Sequence, residues 1–183
     1  MPDLKDIALR RIDGSSGSLA DYAGQVVLVV NVASKCGLTP QYESLERAYT
    51  AHKADGLVVL GFPCNQFRDQ EPGTEADIQE FCTTTYGVDF PLFSKVEVNG
   101  PERHPLYEAL VTAAPTALEK PDGQMRERLA KHGVVSENGD ILWNFEKFLI
   151  GRNGSVAGRF APDVSVDEKP LSEAIAHELG RPG

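Results

Sequence analysis

The run Gln25 to Ala33, QVVLVVNVA, constrains this chain more than any other stretch. A near-continuous β-branched segment is how a strand reads when both its faces are covered, as in the parallel sheet of an α/β protein. A helix is predicted after Ser34-Lys35-Cys36-Gly37-Leu38, with Thr39 as N-cap and Pro40 at the first helical position. Tyr42, Leu45 and Tyr49 recur along it at helical spacing, and Gly56 ends it. LVVLGF, residues 57–62, reads as a second buried strand. Strand, helix and strand make one βαβ unit, which implies parallel strands and a right-handed crossover.

The remaining elements fill out the same class. Residues 4–22 read as a hairpin or turn region around the Gly14–Gly17 cluster. After the polar loop PCNQFRDQEPG, Thr74 caps a helix over EADIQEFCTTTY that stops at Gly87. A further helix is expected over 104–113 and a helical turn within 124–131. WNFEKFLI, residues 143–150, alternates as a strand, and Asn153-Gly154 turns it into a second strand, SVAGRF, over 155–160. The tail 168–179, with Leu171, Ile175 and Leu179 on one face, is an amphipathic helix. This order predicts an α/β thioredoxin-like fold, a central mixed β-sheet flanked by helices, in a single domain over 1–183. Residues 114–140 read as a solvated insertion.

Charge and cysteine usage narrow the function. A net charge of −9 would repel nucleic acid and anionic membranes. The N-terminus MPDLKDIALRRIDG has no apolar stretch of signal-peptide length, and the longest apolar run, Val26–Val30, is too short to cross a bilayer. A cytoplasmic protein without membrane insertion is therefore expected. The three cysteines, at positions 36, 64 and 82, are odd in number and widely spaced. In a reducing compartment that favours reactive or buried thiols over a disulfide scaffold.

Cys36 stands between a buried strand and the helix after it, where free backbone N–H groups and the helix dipole favour a thiolate, with Lys35 adding to the field. Position alone leaves a buried structural cysteine open as well. In Cys36-Gly37-Leu38-Thr39 the second thiol of a CxxC dithiol is replaced by Thr39, so a thioredoxin-type exchanger lacks its local partner. A single thiolate there suits attack on a peroxide O–O bond to give sulfenic acid. A cysteine protease fits poorly, because none of His52, His104, His132 and His177 sits in a recognisable base motif. Zinc fits poorly too, since ligand pairs at close spacing are missing. No metal and no cofactor are expected.

NVASKCG (31–37), LGFPCNQFRDQEPG (60–73) and WNFEKFLI (143–150) resemble the three signature blocks of the glutathione peroxidases, in that family's order and approximate spacing. The resemblance covers about residues 5–180 apart from 114–140. It implies a peroxidase whose catalytic cysteine or selenocysteine is surrounded by a glutamine, a tryptophan and an asparagine. Carried over by motif these are Cys36, Gln70, Trp143 and Asn144, with Gln66 the alternative for the glutamine. Each of the three partners also has an ordinary reading, a turn amide or a core aromatic. Cys36 in place of selenocysteine implies slower chemistry than in the selenium forms. Arg68 stands where the family often has glycine; a solvated arginine or one touching an anionic substrate are both open.

The resemblance further implies that Cys82 is a resolving cysteine, as in the thioredoxin-dependent subset, forming a Cys36–Cys82 disulfide that thioredoxin reduces. Packing in an amphipathic helix is its other reading. Cys64 reads as a packed structural thiol and as the other internal candidate for resolution. Hydrogen peroxide and organic hydroperoxides are the implied substrates. Glutathione as reductant, and a peroxide sensor that passes its oxidation to a partner protein, stand as the rival readings. Because 114–140 falls where tetrameric members carry an assembly loop, the oligomeric state stays open.

Overall fold

The computed structural model describes residues 3–137 and 139–183. The chain opens with a short antiparallel ribbon, β1 (Leu9–Arg10) against β2 (Ser16–Gly17), turned at Gly14 with φ 89°. The βαβ unit follows: β3 (Val26–Val32), helix α1 (Gln41–His52) and β4 (Leu57–Pro63). β3 and β4 run parallel, with Val29 opposite Leu60, and every residue of both strands is buried. Gly56, at φ 101°, makes the turn into β4 that a residue with a Cβ would strain to make.

Helices α2 (Glu75–Tyr86), α3 (Pro105–Ala113) and α4 (Met125–Lys131) come next. Then β5 (Lys147–Ile150) and β6 (Val156–Phe160) form a hairpin through Gly154, and α5 (Leu171–Leu179) closes the chain. The sheet order is β4-β3-β5-β6, with β5 antiparallel to both β3 and β6. This is the mixed, helix-flanked sheet of the thioredoxin-like class. Among the described residues no helix is long and apolar enough to cross a membrane.

Neighbouring residues of a strand face opposite sides, and β5 shows both layers. Phe148 meets Tyr107 of α3 edge-on at 6.1 Å, and Tyr107 reaches Phe62 of β4 at the same distance. Lys147 points to the other face, where its ammonium donates to Gln41 Oε1 of α1 at 2.6 Å and to the Pro162 carbonyl at 2.9 Å.

Lys147 is fully buried, and burial pushes its ammonium down from an ordinary 10.5 to about 7, against the pull of Asp163, Glu146 and Glu168 and with the push of Lys120. Between those two values the unfolded chain holds a proton that the folded chain has released. Stability should therefore rise with pH from about 7 towards 10, by up to about 1.4 kcal/mol per unit. Below about pH 7 both states are protonated and this dependence vanishes. Urea unfolding at pH 7 and pH 9 is expected to show a steeper rise for the parent than for Lys147→Met. Equal slopes would count against the assignment.

Three sequence expectations change. The strand expected over 143–150 is only Lys147–Ile150; residues 143–145 form a turn in which Phe145 takes φ 70°. The turn is held from β3, because Phe145 N–H donates to the Asn31 carbonyl at 2.6 Å and Asn31 Nδ2 donates to the Trp143 carbonyl at 3.1 Å. Thr39 does not cap α1, which begins at Gln41. Its hydroxyl accepts from Cys36 N–H at 2.9 Å and donates to the Ala33 carbonyl at 2.8 Å, so it ties the cysteine turn to the end of β3.

The 114–140 segment is not simply solvated. Leu118 pairs its backbone with Arg159 and Ala161 beside the sheet edge, and Leu129 of α4 is buried. Asn138 lies outside the described residues.

Candidate active site

Three segments distant in sequence meet at one end of the sheet. The first is the turn after β3 that carries Cys36. Cys36 is a free thiol, 8% exposed, and Leu38 N–H donates to its sulfur at 3.3 Å. α1 itself starts only at Gln41, after tight turns in which Thr39 N–H donates to the Cys36 carbonyl and Gln41 N–H to the Leu38 carbonyl. The helix field fades within its own first turn, so the nearest donor to the sulfur is the local Leu38 amide and not the helix end.

The second segment is the 64–73 loop. Lys35 N–H donates to the Gln70 carbonyl at 3.0 Å, which brings this loop against the cysteine turn. Arg68 and Asp69 adopt φ 58° and 54°, a region that favours glycine. That geometry gives a physical reason for the glycine that the sequence resemblance implies at the Arg68 position. The Arg68 side chain is exposed but engaged, donating to the His132 carbonyl of the 114–140 segment. Neither of the readings offered for it from sequence anticipated that bond.

The third segment is the 143–145 turn. Asn144 is fully buried, and its Nδ2 donates to Gln70 Oε1 at 3.0 Å. Trp143, 8% exposed, packs on Phe67 with ring centroids 5.3 Å apart. The turn is fastened from below by Glu146, whose Oε1 accepts Leu142 N–H at 2.9 Å while its Oε2 accepts from Arg159 Nε at 2.6 Å. Both partners of this ion pair are buried; burial pushes the Glu146 carboxyl up, and the Arg159 guanidinium draws it back.

Cys36, Gln70, Trp143 and Asn144 thus sit on segments joined by direct contacts. Gln66 does not join that group: its carboxamide is taken up by the backbone of Val98 and Asn99. Cys64 is fully buried, its thiol pushed up to about 11 by burial and turned toward Gln66 Oε1 at 3.6 Å.

Cys82 lies on α2, fully buried, and burial pushes its thiol up to about 11 as well. The Tyr42 hydroxyl faces it without an aligned hydrogen bond, and the field of Glu71 acts on both. Glu71 is itself 1% exposed, with its carboxyl raised by burial and Oε2 unpaired.

Sequence reasoning missed Asn31, Phe67, Glu146 and Arg159. Asn31 did carry a signal, as the only polar residue inside β3: a buried amide must find a partner. Glu146 and Lys147 carried the same signal, two adjacent charges in the otherwise apolar run FEKFLI (145–150).

A βαβ unit continued by an antiparallel hairpin, with a lone thiol at its first strand-to-helix turn, defines a protein of the thioredoxin-like class. In agreement, a thioredoxin-family thiol:disulfide interchange protein from Chlorobium tepidum shares the fold, with a TM-score of 0.61 at 17% identity over 95% of this chain and 93% of that one. The glutathione peroxidase family profile matches residues 4–111. The chain is 51% identical over 174 residues to the thioredoxin/glutathione peroxidase BtuE of Escherichia coli K12, covering 94% of this chain and 95% of that protein. The crystal structure of Trgpx in apo form superposes with a TM-score of 0.70 at 34% identity, covering 100% of this chain and 99% of that one. The chain therefore belongs to the glutathione peroxidase family. It is a peroxidase, an oxidoreductase that takes peroxide as substrate and a thiol as reductant.

Proposed function

We propose that Cys36 is the peroxidatic residue, that Gln70, Trp143 and Asn144 assist O–O cleavage, and that Cys82 resolves the product for reduction by thioredoxin. The Cys36 thiolate attacks the nearer peroxide oxygen; the O–O bond breaks and the farther oxygen leaves as hydroxide or alkoxide, protonated to water or alcohol. Sulfur is oxidised to sulfenic acid and the peroxide is reduced. On this reading the amide and indole N–H groups of Gln70, Asn144 and Trp143 stabilise first the thiolate and then the charge developing on the leaving oxygen. Cys82 thiol then displaces the sulfenic oxygen as water, forming the Cys36–Cys82 disulfide, and a thioredoxin dithiol takes up the oxidation by exchange.

The observation that supports this reading is the Asn144–Gln70 hydrogen bond together with the Lys35–Gln70 backbone bond, which join the segments of both amides to the turn that carries Cys36. Glutathione is the second reading, favoured by the name of the Escherichia coli relative, which includes both reductants. NADPH-coupled turnover, run with thioredoxin and its reductase and separately with glutathione and its reductase, decides between them. Faster cycling with thioredoxin is expected. Equal or faster cycling with glutathione would reverse the choice of reductant, and one peroxide consumed per chain with either would identify a sensor.

A further inference from the structure

The loop that carries Gln70 and the turn that carries Asn144 touch through those two side chains, and a single such joint would leave them free to swing. A second joint exists on the other side of Phe67. It is built on Asn99, in the Val98-Asn99-Gly100 turn, where Gly100 takes φ 84°.

The Asn99 carboxamide pairs with both backbone groups of one residue: Nδ2 donates to the Ile141 carbonyl at 2.9 Å, and Oδ1 accepts Ile141 N–H at 2.8 Å. It does what a neighbouring strand would do, with a donor and an acceptor on one edge. The Asn99 backbone is in turn gripped by Gln66, whose Oε1 accepts from Val98 N–H at 2.7 Å and Asn99 N–H at 3.0 Å, and whose Nε2 donates to the Asn99 carbonyl at 2.8 Å. Arg103 braces the assembly through the Val98 carbonyl at 2.8 Å and Asp140 Oδ1 at 2.7 Å. The path Gln70, Gln66, Asn99, Ile141, Asn144 and back to Gln70 is a closed ring of bonds.

We propose that Asn99 is a positioning residue for peroxide cleavage, its carboxamide holding the 141–145 turn in register with the Gln70 loop. The inference rests on the donor role given above to Gln70 and Asn144. A ring closed at two points lets the Gln70–Asn144 pair offer its remaining groups to substrate, because the pair is not the sole fastening between the segments. Displacements of about 1 Å at such donors can slow a reaction on the order of 100-fold. Asparagine is the residue the job requires: aspartate keeps the acceptor and loses the donor, and alanine loses both.

The test is the second-order rate at which hydrogen peroxide oxidises Cys36, followed by the emission of Trp143, the single tryptophan, or by thiol titration. Asn99→Ala is expected to slow this step about 10- to 100-fold. In a background carrying Gln70→Ala and Asn144→Ala, the same change should cost less than about threefold, because nothing remains to be positioned. Asn99→Asp, matched in volume, carries the test if the alanine variant does not fold. A full rate in the Asn99 variants would overturn the inference, and so would equal slowing in both backgrounds, which marks a merely structural role. If the Gln70/Asn144 background alone reacts as fast as the parent, the donor reading fails and takes this inference with it.

Discussion

Cys36→Ser is expected to abolish peroxide reduction while leaving the fold intact. A hydroxyl is a far weaker nucleophile than a thiolate at neutral pH, and removing an attacking group elsewhere costs on the order of 10,000-fold or more. The fold should survive because the replacement is small and its contacts are local. The side chain is 8% exposed and accepts one bond, from Leu38 N–H, which a serine oxygen can accept as well. The Thr39 clamp acts on the Cys36 backbone, so it is indifferent to the side chain. Peroxide consumption by the variant, measured with either reductant beside its urea midpoint, checks both halves. Substantial turnover in a folded variant would remove Cys36 from its role, and Cys64, buried and raised to about 11, is a poor substitute.

What sequence could show followed from how local each signal was. The two central strands were plain because both faces of β3 and β4 are covered, and that writes an unbroken apolar run. The Thr74 cap of α2 was equally plain, and the structure adds Asp77, which bonds back to the Thr74 N–H to complete a capping box. The WNFE stretch misled because its alternation has the period of a strand, whereas its geometry is set by the Asn31 carbonyl that captures Phe145 N–H from across the sheet. No rule of local periodicity contains that bond. The cysteine turn misled in the same way: Thr39 has the right chemistry for a cap, and the end of β3 claims its hydroxyl first. The candidate site was legible only as motifs, since the Gln70–Asn144 contact joins residues 74 apart in sequence. Arg68 was legible as a departure, and its φ of 58° gives the departure a physical meaning.

Cys82→Ser should separate the two halves of the proposed cycle. The variant is expected to consume about one peroxide per chain, leaving Cys36 as sulfenic acid, and then to lose thioredoxin-driven turnover by roughly 100-fold or more, the advantage that an intramolecular thiol confers. In the closed structure Cys82 is fully buried on α2 and its thiol is held at about 11, so it is neither exposed nor ionised near neutrality. Under the proposed cycle the C-terminal half of α2 is therefore expected to open, which would carry the thiol into water and restore its ordinary acidity. Opening breaks the Gly87 and Val88 bonds to the Cys82 and Thr83 carbonyls and separates Phe81 and Tyr86 from Tyr42, whose rings lie 6.5 and 5.6 Å away. Exposing these half-buried rings costs on the order of 4 kcal/mol, which leaves about one chain in a thousand open. Thr83, Thr84 and Thr85 lower that cost, since three β-branched residues weaken the helix by about 2 kcal/mol relative to alanine. Replacing all three by alanine should accordingly slow disulfide formation about 30-fold while the peroxide step keeps its rate. Stopped-flow oxidation followed by thiol counting and non-reducing peptide mapping measures both steps. If Cys82→Ser cycles normally with thioredoxin, resolution belongs to Cys64 or to direct reduction of the sulfenic acid. If the alanine triplet forms the disulfide at the parental rate, opening of α2 does not limit the step.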